Sequence, residues 1–483
     1  MVTIYKYRVM QIDKNSNFSD PLSIIVLAAG LGKRMKSDLP KVLASVLGLP
    51  MINRIIREII PLSPENIVVV TGHKGELVRS ALIESFSSTK IGFALQKELL
   101  GTGDAAKCGL SEIKDFSGTV LILAGDTPLI KGSSLLSLLN VHQKENATVT
   151  LLSFMAKDPT GYGRVVRESG LVSKIVEEKD ASDLEKQITE VNSGIYAVDS
   201  AFLYQALNNL ETNNVQGELY LTDILGKAAT EGQHISSFLS NDESQFLGVN
   251  TKSQLNYAQT IAMKRKIESL IEQGVSFLDP NTVYIEEAVV VGEGSSLGPN
   301  VQLRGKTTVG KSVKIEGSAF IQDSTIEDGA TIKFGVRIEG AHVGKNAAVG
   351  PFAHLRPEAY LEKDVKVGNF VEIKKSRLKE GAKASHLTYL GDAEVGKDAN
   401  IGAGTITCNY DGYNKFKTTI GDGAFIGSNT ALVAPVTIGA GAVIGAGSVI
   451  SKEVSKDALA LERTEQREIK DWAKKRRVKS LKK

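Results

Sequence analysis

The chain has 483 residues, 42% of them hydrophobic and 23% charged, with a formal net charge of +3. That length exceeds one ordinary domain and that composition is globular, so about two to four domains are expected and wholesale disorder is excluded. So small a net charge implies no nucleic-acid partner, no apolar run approaches the ~18 residues of a membrane span, and Cys108 and Cys408, far apart, offer neither a disulfide framework nor metal-ligand spacing.

Residues 1–22 mix charges with Tyr, Ile and Val and lack the apolar centre of a signal peptide. They read as a mobile extension, with Met10 an alternative start. From 23 to 252, short apolar runs alternate with amphipathic stretches. Ser23–Ala28, Ile67–Val70 and Val120–Ala124 read as buried strands, and Pro50–Ile60 as a helix. Such alternation predicts an α/β unit with a parallel, doubly wound, Rossmann-like sheet, whose ligands gather at the carboxyl ends of the strands. Residues 253–274 predict one connecting helix: Tyr257, Ile261, Met263, Ile267 and Leu270 have near-helical spacing, and Gly274 supplies a stop.

From residue 291 onward an aliphatic side chain returns at every sixth position for most of the remaining chain, and the solenoid it marks is expected to span 275–460. Val291, Leu297, Leu303, Val309, Ile315 and Ile321 form one run, and Ile326, Ile332 and Ile338 a second, one residue out of phase. Val343 to Ile373 and Ile420 to Ile450 repeat the pattern. This period fits neither a helix nor a hairpin meander. It fits a solenoid of short strands and turns, with the aliphatic side chain always pointing inward. The pattern breaks between Ile373 and Val395, and between Gly402 and Thr419, which predicts two projecting loops. Residues 461–483 form a basic tail, either solvated or in contact with phosphate or coenzyme.

The first strand runs into Leu27-Ala28-Ala29-Gly30-Leu31-Gly32-Lys33-Arg34-Met35, followed by Pro40-Lys41. Small residues there let backbone N–H groups approach a phosphate chain, and Arg34 and Lys41 add charge suited to a triphosphate. The stretch lacks the end of a Walker loop and the third glycine of the dinucleotide fingerprint. Gln96 with Gly101-Thr102 reads either as a polar turn or as a reader of a uracil edge. Asp126, after Ala124-Gly125, is either a helix cap or a ligand for Mg²⁺ shared with phosphate oxygens. Gly163, Glu177 and Asn192 offer hydrogen bonds to sugar hydroxyls, and Asn250 a second metal ligand. The first of these stretches resembles the signature of sugar-phosphate nucleotidyltransferases. That resemblance implies that Leu27, Ala28, Ala29, Gly30, Arg34, Lys41, Gln96, Gly101, Thr102, Gly163, Glu177, Asn192 and Asn250 bind UTP or its sugar product, with Asp126 and Asn250 on the metal. Leu99 departs from the pattern, standing where a polar residue is expected.

The hexad repeats resemble the left-handed parallel β-helix of acyl-CoA-dependent acyltransferases. The left hand is implied by that resemblance, since general chirality favours a right-handed crossover. The same resemblance implies a homotrimer with active sites between neighbouring subunits. His386, in Ala384-Ser385-His386-Leu387-Thr388-Tyr389, lies in the first break and is expected outside the hexad register. An imidazole near its neutral pKa can take a proton from an attacking amine. A lone histidine is otherwise structural. With Gly402 to Gly412, this stretch extends the resemblance over residues 23–463 to a bifunctional family. In that family N-acetylglucosamine-1-phosphate uridyltransferase is joined to glucosamine-1-phosphate acetyltransferase.

Carried over residue by residue, the resemblance makes His386 the general base, with Glu372 supporting the charge balance. Arg356, Lys374, Tyr389 and Asn400 would bind glucosamine-1-phosphate. Ala403, Asn409, Tyr410, Ser428, Ala446 and Arg463 would bind acetyl-CoA. The implied product is UDP-N-acetylglucosamine, made in the cytoplasm for the bacterial cell envelope, with Mg²⁺ as cofactor and acetyl-CoA and UTP as co-substrates. Two rivals stand beside this reading. One is a nucleotidyltransferase whose β-helix only regulates or assembles; the other is a non-catalytic protein of the translation-initiation-factor type.

Overall fold

The apolar run Leu22–Ala28 becomes the central strand of a nine-stranded sheet. Its side chains divide by strand alternation: Ile24 and Val26 enter one core and Ile25 the other, each fully buried. Helices Met51–Ile59, Gly75–Ser85 and Gly132–Lys144 cover the first face. Helices Thr102–Leu110, Ser200–Asn208 and Asp223–Thr230 cover the second. Each such buried aliphatic stabilises the fold by roughly 1.5–3 kcal/mol. The structure is a computed structural model and describes residues 18–168 and 170–480. Most of the expected N-terminal extension and the last three residues of the basic tail lie outside the described residues.

The seven principal strands lie in the order Ile235–Ser240, Val149–Met155, Glu190–Asp199, Thr119–Ala124, Leu22–Ala28, Asn66–Thr71, Gly92–Leu95. Leu22–Ala28 pairs in parallel with Asn66–Thr71 and Thr119–Ala124. The sheet is mixed rather than wholly parallel, because Glu190–Asp199 runs against both of its neighbours. A hairpin, Arg164–Glu168 with Leu171–Val176, stands between Val149–Met155 and this strand. Among the described residues no α-helix separates the two strands to return the chain in the parallel sense.

The chain divides into two compact units, Met1–Lys264 and Arg265–Lys483, and the helix Lys252–Glu272 runs across the division. In the second unit every third strand joins the same sheet, which builds three parallel sheets of 11, 10 and 9 strands. Leu297, Ile315, Ile332, Val349, Val367, Ala384, Ile401, Ile426 and Ile444 are successive partners in one of them. All are buried. This is the expected β-helix of stacked coils, one inward ladder per sheet. Buried hydroxyls hold the turns, as where Ser295 donates to Gly310 O at 2.8 Å and Thr307 to Arg304 O at 2.6 Å.

The first expected loop is absent. Leu378, Ala384, Leu390 and Val395 continue the inward ladders, all with no exposure. A small alanine and two spacings one residue short had hidden the period. The second break is a loop in part: Thr407 still occupies its inward place at 1% exposure, and the chain leaves the coil from Asn409 onward. Both cysteines are free thiols. Among the described residues no helix is long and apolar enough to cross a membrane.

Candidate functional site

The carboxyl ends of the central strands bring three expected residues together. The Lys41 ammonium donates to the Asp126 carboxylate and, at 2.8 Å, to Asn250 Oδ1. Gly32 makes this approach possible: a Cβ there would lie 2.6 Å from Lys41 Cβ, and its φ of +61° suits glycine. Asp126 is fixed in turn by its own carbonyl, which accepts from Val249 N at 2.9 Å. Leu27 O accepts from Gly125 N at 2.8 Å, which ties the glycine-rich loop to the same place. Ala28 and Ala29 are buried and Gly30 is exposed. Arg34 is exposed.

A second group sits beside the first. Asn192 N donates to Gly163 O at 2.9 Å, and a Cβ on Gly163 would come within 3.4 Å of Glu177 Oε2. Burial pushes the Glu177 carboxyl up from its usual range, while a 3.3 Å hydrogen bond from Thr222 opposes that. Tyr162 joins the two groups: its hydroxyl meets the Gly248 backbone and feels the charge of Asp126. The third group holds Gln96, 4% exposed. Its amide nitrogen donates to Gly101 O at 3.0 Å and to Asp104 Oδ2 at 2.9 Å. Both donors are therefore engaged, and only its carbonyl oxygen is left to accept from a base edge. That narrows the expected paired reading. Thr102 Oγ1 accepts from Leu221 N at 3.1 Å, one residue from Thr222, which links this group to the second. Thr222 and Asp104 thus adjoin these groups, and no motif flagged either.

Asp126 and Asn250 aim two hard oxygens at one point, where the Lys41 ammonium sits. That donor set suits Mg²⁺ whose other positions are filled by phosphate oxygens and water. Among the described residues no cluster of three or more His, Cys, Asp or Glu forms a closed metal site.

In the β-helix, His386 ends the strand Lys383–His386 and pairs in register with Asn369, so it belongs to the hexad pattern rather than to a loop. Its side chain is exposed, and its Nδ1 lies 2.9 Å from Asn369 Oδ1. An amide oxygen only accepts, so Nδ1 carries the proton and Nε2 presents a lone pair. Glu372 does not touch the imidazole; it accepts from Arg356 at 2.8 Å. Glu372 and Tyr389 are partners on adjacent coils. Lys374 lies against Lys415, whose ammonium pushes it below the usual lysine range. Arg356, Lys374 and Lys415 form a cationic cluster, and Lys415 comes from the late loop, where no motif marked it. Asn400 pairs in register with Lys383, on the coil after His386.

The residues expected to hold acetyl-CoA stack on successive coils along one edge. Asn429 N donates to Ala403 O at 2.7 Å, Gly447 N to Ser428 O at 2.8 Å, and the Arg463 guanidinium to Ala446 O at 3.2 Å. Thr388 connects this file to the histidine, since its hydroxyl donates to His386 O at 2.8 Å and lies 3.4 Å from Gly402 O. Tyr410 is exposed, and Asn409 is 7% exposed.

Residues 23–257 match the nucleotidyl transferase family, and residues 417–452 the bacterial transferase hexapeptide family of six repeats. The chain is 46% identical to the bifunctional protein GlmU of Pseudoalteromonas atlantica, over 93% of its own length and 98% of that protein. It is 44% identical to the GlmU of Geotalea uraniireducens, over 94% and 99%. It is also 44% identical to the GlmU of Streptococcus suis, over 93% and 96%.

Proposed function

The chain belongs to the GlmU family of bifunctional enzymes, acetyltransferase and uridylyltransferase in one polypeptide, and from that premise we propose where and how each step of UDP-N-acetylglucosamine synthesis takes place. Acetyl transfer belongs to the β-helix. The amine of glucosamine-1-phosphate attacks the thioester carbon of acetyl-CoA; a C–N bond forms and the C–S bond breaks. His386 Nε2 takes the proton that the amine sheds and returns one to the departing thiolate. The Nδ1–H bond to Asn369 keeps the ring in the tautomer that can do this. Arg356, Lys374 and Lys415 hold the sugar phosphate, with Tyr389 and Asn400 beside the sugar. The file of Ala403, Ser428, Ala446 and Arg463 carries the coenzyme, with Asn409 and Tyr410 at its thioester end.

Uridylyl transfer belongs to the first unit. A phosphate oxygen of N-acetylglucosamine-1-phosphate attacks the α-phosphorus of UTP; that P–O bond forms and the bond to the β-phosphate bridge breaks, releasing pyrophosphate. Lys41 and Arg34 stabilise the added negative charge, and the loop Leu27–Gly30 cradles the phosphates. Gln96, Gly101 and Thr102 take the base, and Gly163, Glu177 and Asn192 the sugar. Mg²⁺ held by Asp126 and Asn250 would offset phosphate charge in this step.

The single observation that carries the bifunctional reading is the oriented imidazole of His386, on the coil next to that of Lys374 and its cationic cluster. A β-helix that only assembles subunits has no use for it. A homotrimer is supported by a file of exposed apolar residues along one corner: Phe334, Phe352, Phe370 and Leu387, at 49%, 48%, 57% and 61% exposure. The co-substrates fit a cytoplasmic enzyme. The test is a coupled assay with glucosamine-1-phosphate, acetyl-CoA and UTP, each omitted in turn, on wild type and His386→Ala. Wild type should need all three, and the variant should lose acetyl transfer alone. Acetyl transfer that survives in His386→Ala, or no pyrophosphate release by wild type, would overturn the reading.

A further inference from the structure

Asp392, which no motif singles out, lies where several residues of the acetyl-transfer site meet. Its Oδ2 accepts from Asn409 Nδ2 at 2.5 Å, its backbone N donates to Lys374 O at 3.1 Å, and its carbonyl accepts from Thr418 N at 3.1 Å. The preceding Gly391 has no room for a side chain: a Cβ would fall 2.4 Å from the Tyr389 hydroxyl and 2.8 Å from Asn409 Nδ2. Tyr389 and Asn409 are therefore packed against Gly391, and the Asn409 amide is held by the Asp392 carboxylate. Its charge also acts on Lys374, opposite to that of Lys415.

We infer that Asp392 is a positioning residue for acetyl transfer: by binding Asn409 Nδ2 it turns the amide so that Asn409 Oδ1 faces the substrate amine. A carboxylate accepts only, so it selects one of the two amide orientations. The Oδ1 so presented accepts an N–H of the amine and aims its lone pair at the thioester, while the other proton goes to His386. This rests on the assignment of Asn409 to the acetyl-transfer site.

The test measures thiol release from acetyl-CoA with glucosamine-1-phosphate, using the full chain, for Asp392→Ala, Asp392→Asn, Asn409→Ala and the double alanine variant. Asp392→Ala should lower kcat about 10- to 100-fold with little change in the KM for acetyl-CoA. Asp392→Asn can donate as well as accept, so it no longer selects one orientation and should fall between Asp392→Ala and wild type. The double variant should be no slower than Asn409→Ala, since both changes remove one arrangement. If Asp392→Ala loses its circular dichroism, Asp392→Ser, too short to reach the amide, takes its place. Losses that multiply in the double variant, or full activity of Asp392→Ala, would overturn the inference alone. Full acetyl transfer by Asn409→Ala would overturn the assignment of Asn409 and the inference with it.

Discussion

His142 makes the first unit sensitive to acid. It sits on the helix Gly132–Lys144 at 5% exposure, with Nδ1 2.9 Å from Thr150 Oγ1 on the adjoining strand. Burial lowers its pKa from 6.5 to about 4, against the weaker pull of Asp199 and Asp20. The unfolded chain binds this proton below pH 6.5, whereas the folded chain resists it until about pH 4. The contribution to stability is therefore complete above pH 6.5 and is lost as the pH falls toward 4. Linkage makes the loss about 2 kcal/mol at pH 5, approaching about 3 kcal/mol in stronger acid. Amide exchange in the strand Val149–Met155, corrected for intrinsic chemistry, should then speed up about thirtyfold between pH 7.5 and 5.0. Glu177 and Asp223, whose carboxyls burial raises, push the other way, so the comparison with His142→Gln isolates the imidazole. The variant should show a flatter profile. Identical pH profiles for wild type and His142→Gln would refute the reasoning. Functionally, uridylyl transfer should fail in mild acid before the β-helix unfolds, because His142 is the one buried histidine among the described residues.

Three further outcomes are expected. Lys41→Met should cost uridylyl transfer about 100-fold or more and leave acetyl transfer unchanged; a loss under about fivefold in a pyrophosphate-release assay would remove Lys41 from the proposed chemistry. Asn369→Ala frees the His386 ring and should lower acetyl-transfer kcat by roughly 10- to 100-fold, less than His386→Ala does; equal rates for Asn369→Ala and wild type would show that the hydrogen bond orients nothing of consequence. Tyr196 is 1% exposed, and its hydroxyl lacks a hydrogen bond of normal geometry. Tyr196→Phe should therefore be neutral or stabilising by about 1–2 kcal/mol in thermal melts, and a loss above about 1 kcal/mol would count against an idle hydroxyl.

The β-helix was legible because an inward side chain at every sixth place is a one-dimensional signal. It failed where Ala384 and Thr407 stood in for larger aliphatics, and there His386 was misread as lying in a loop. The reversal of Glu190–Asp199 was illegible because strand sequences carry no arrow. The loop residues around Lys41 and Asp126 were legible, since small and charged residues directly follow apolar runs. Asn369 and Asp392 were not. Each meets its partner, His386 or Asn409, 17 residues further on, one coil along, and nothing local marks a polar residue as facing a neighbour at that remove.

Each coil of the rod leans only on the coil before and the coil after. The chemistry between Leu355 and Arg463 thus has no way to count how many turns precede it. Excising one complete turn ahead of Ile338, with the ladder partners rejoined, would shorten the rod and leave the acetyl-transfer groups as they are. A single residue lost from a turn is absorbed there, as the short spacings Ile321–Ile326 and Ile373–Leu378 show, because the ladder partners stay in register beyond them. Such a fold gains or loses rungs only in whole turns, and it can do so on the side away from the histidine without touching the acetyl-transfer groups.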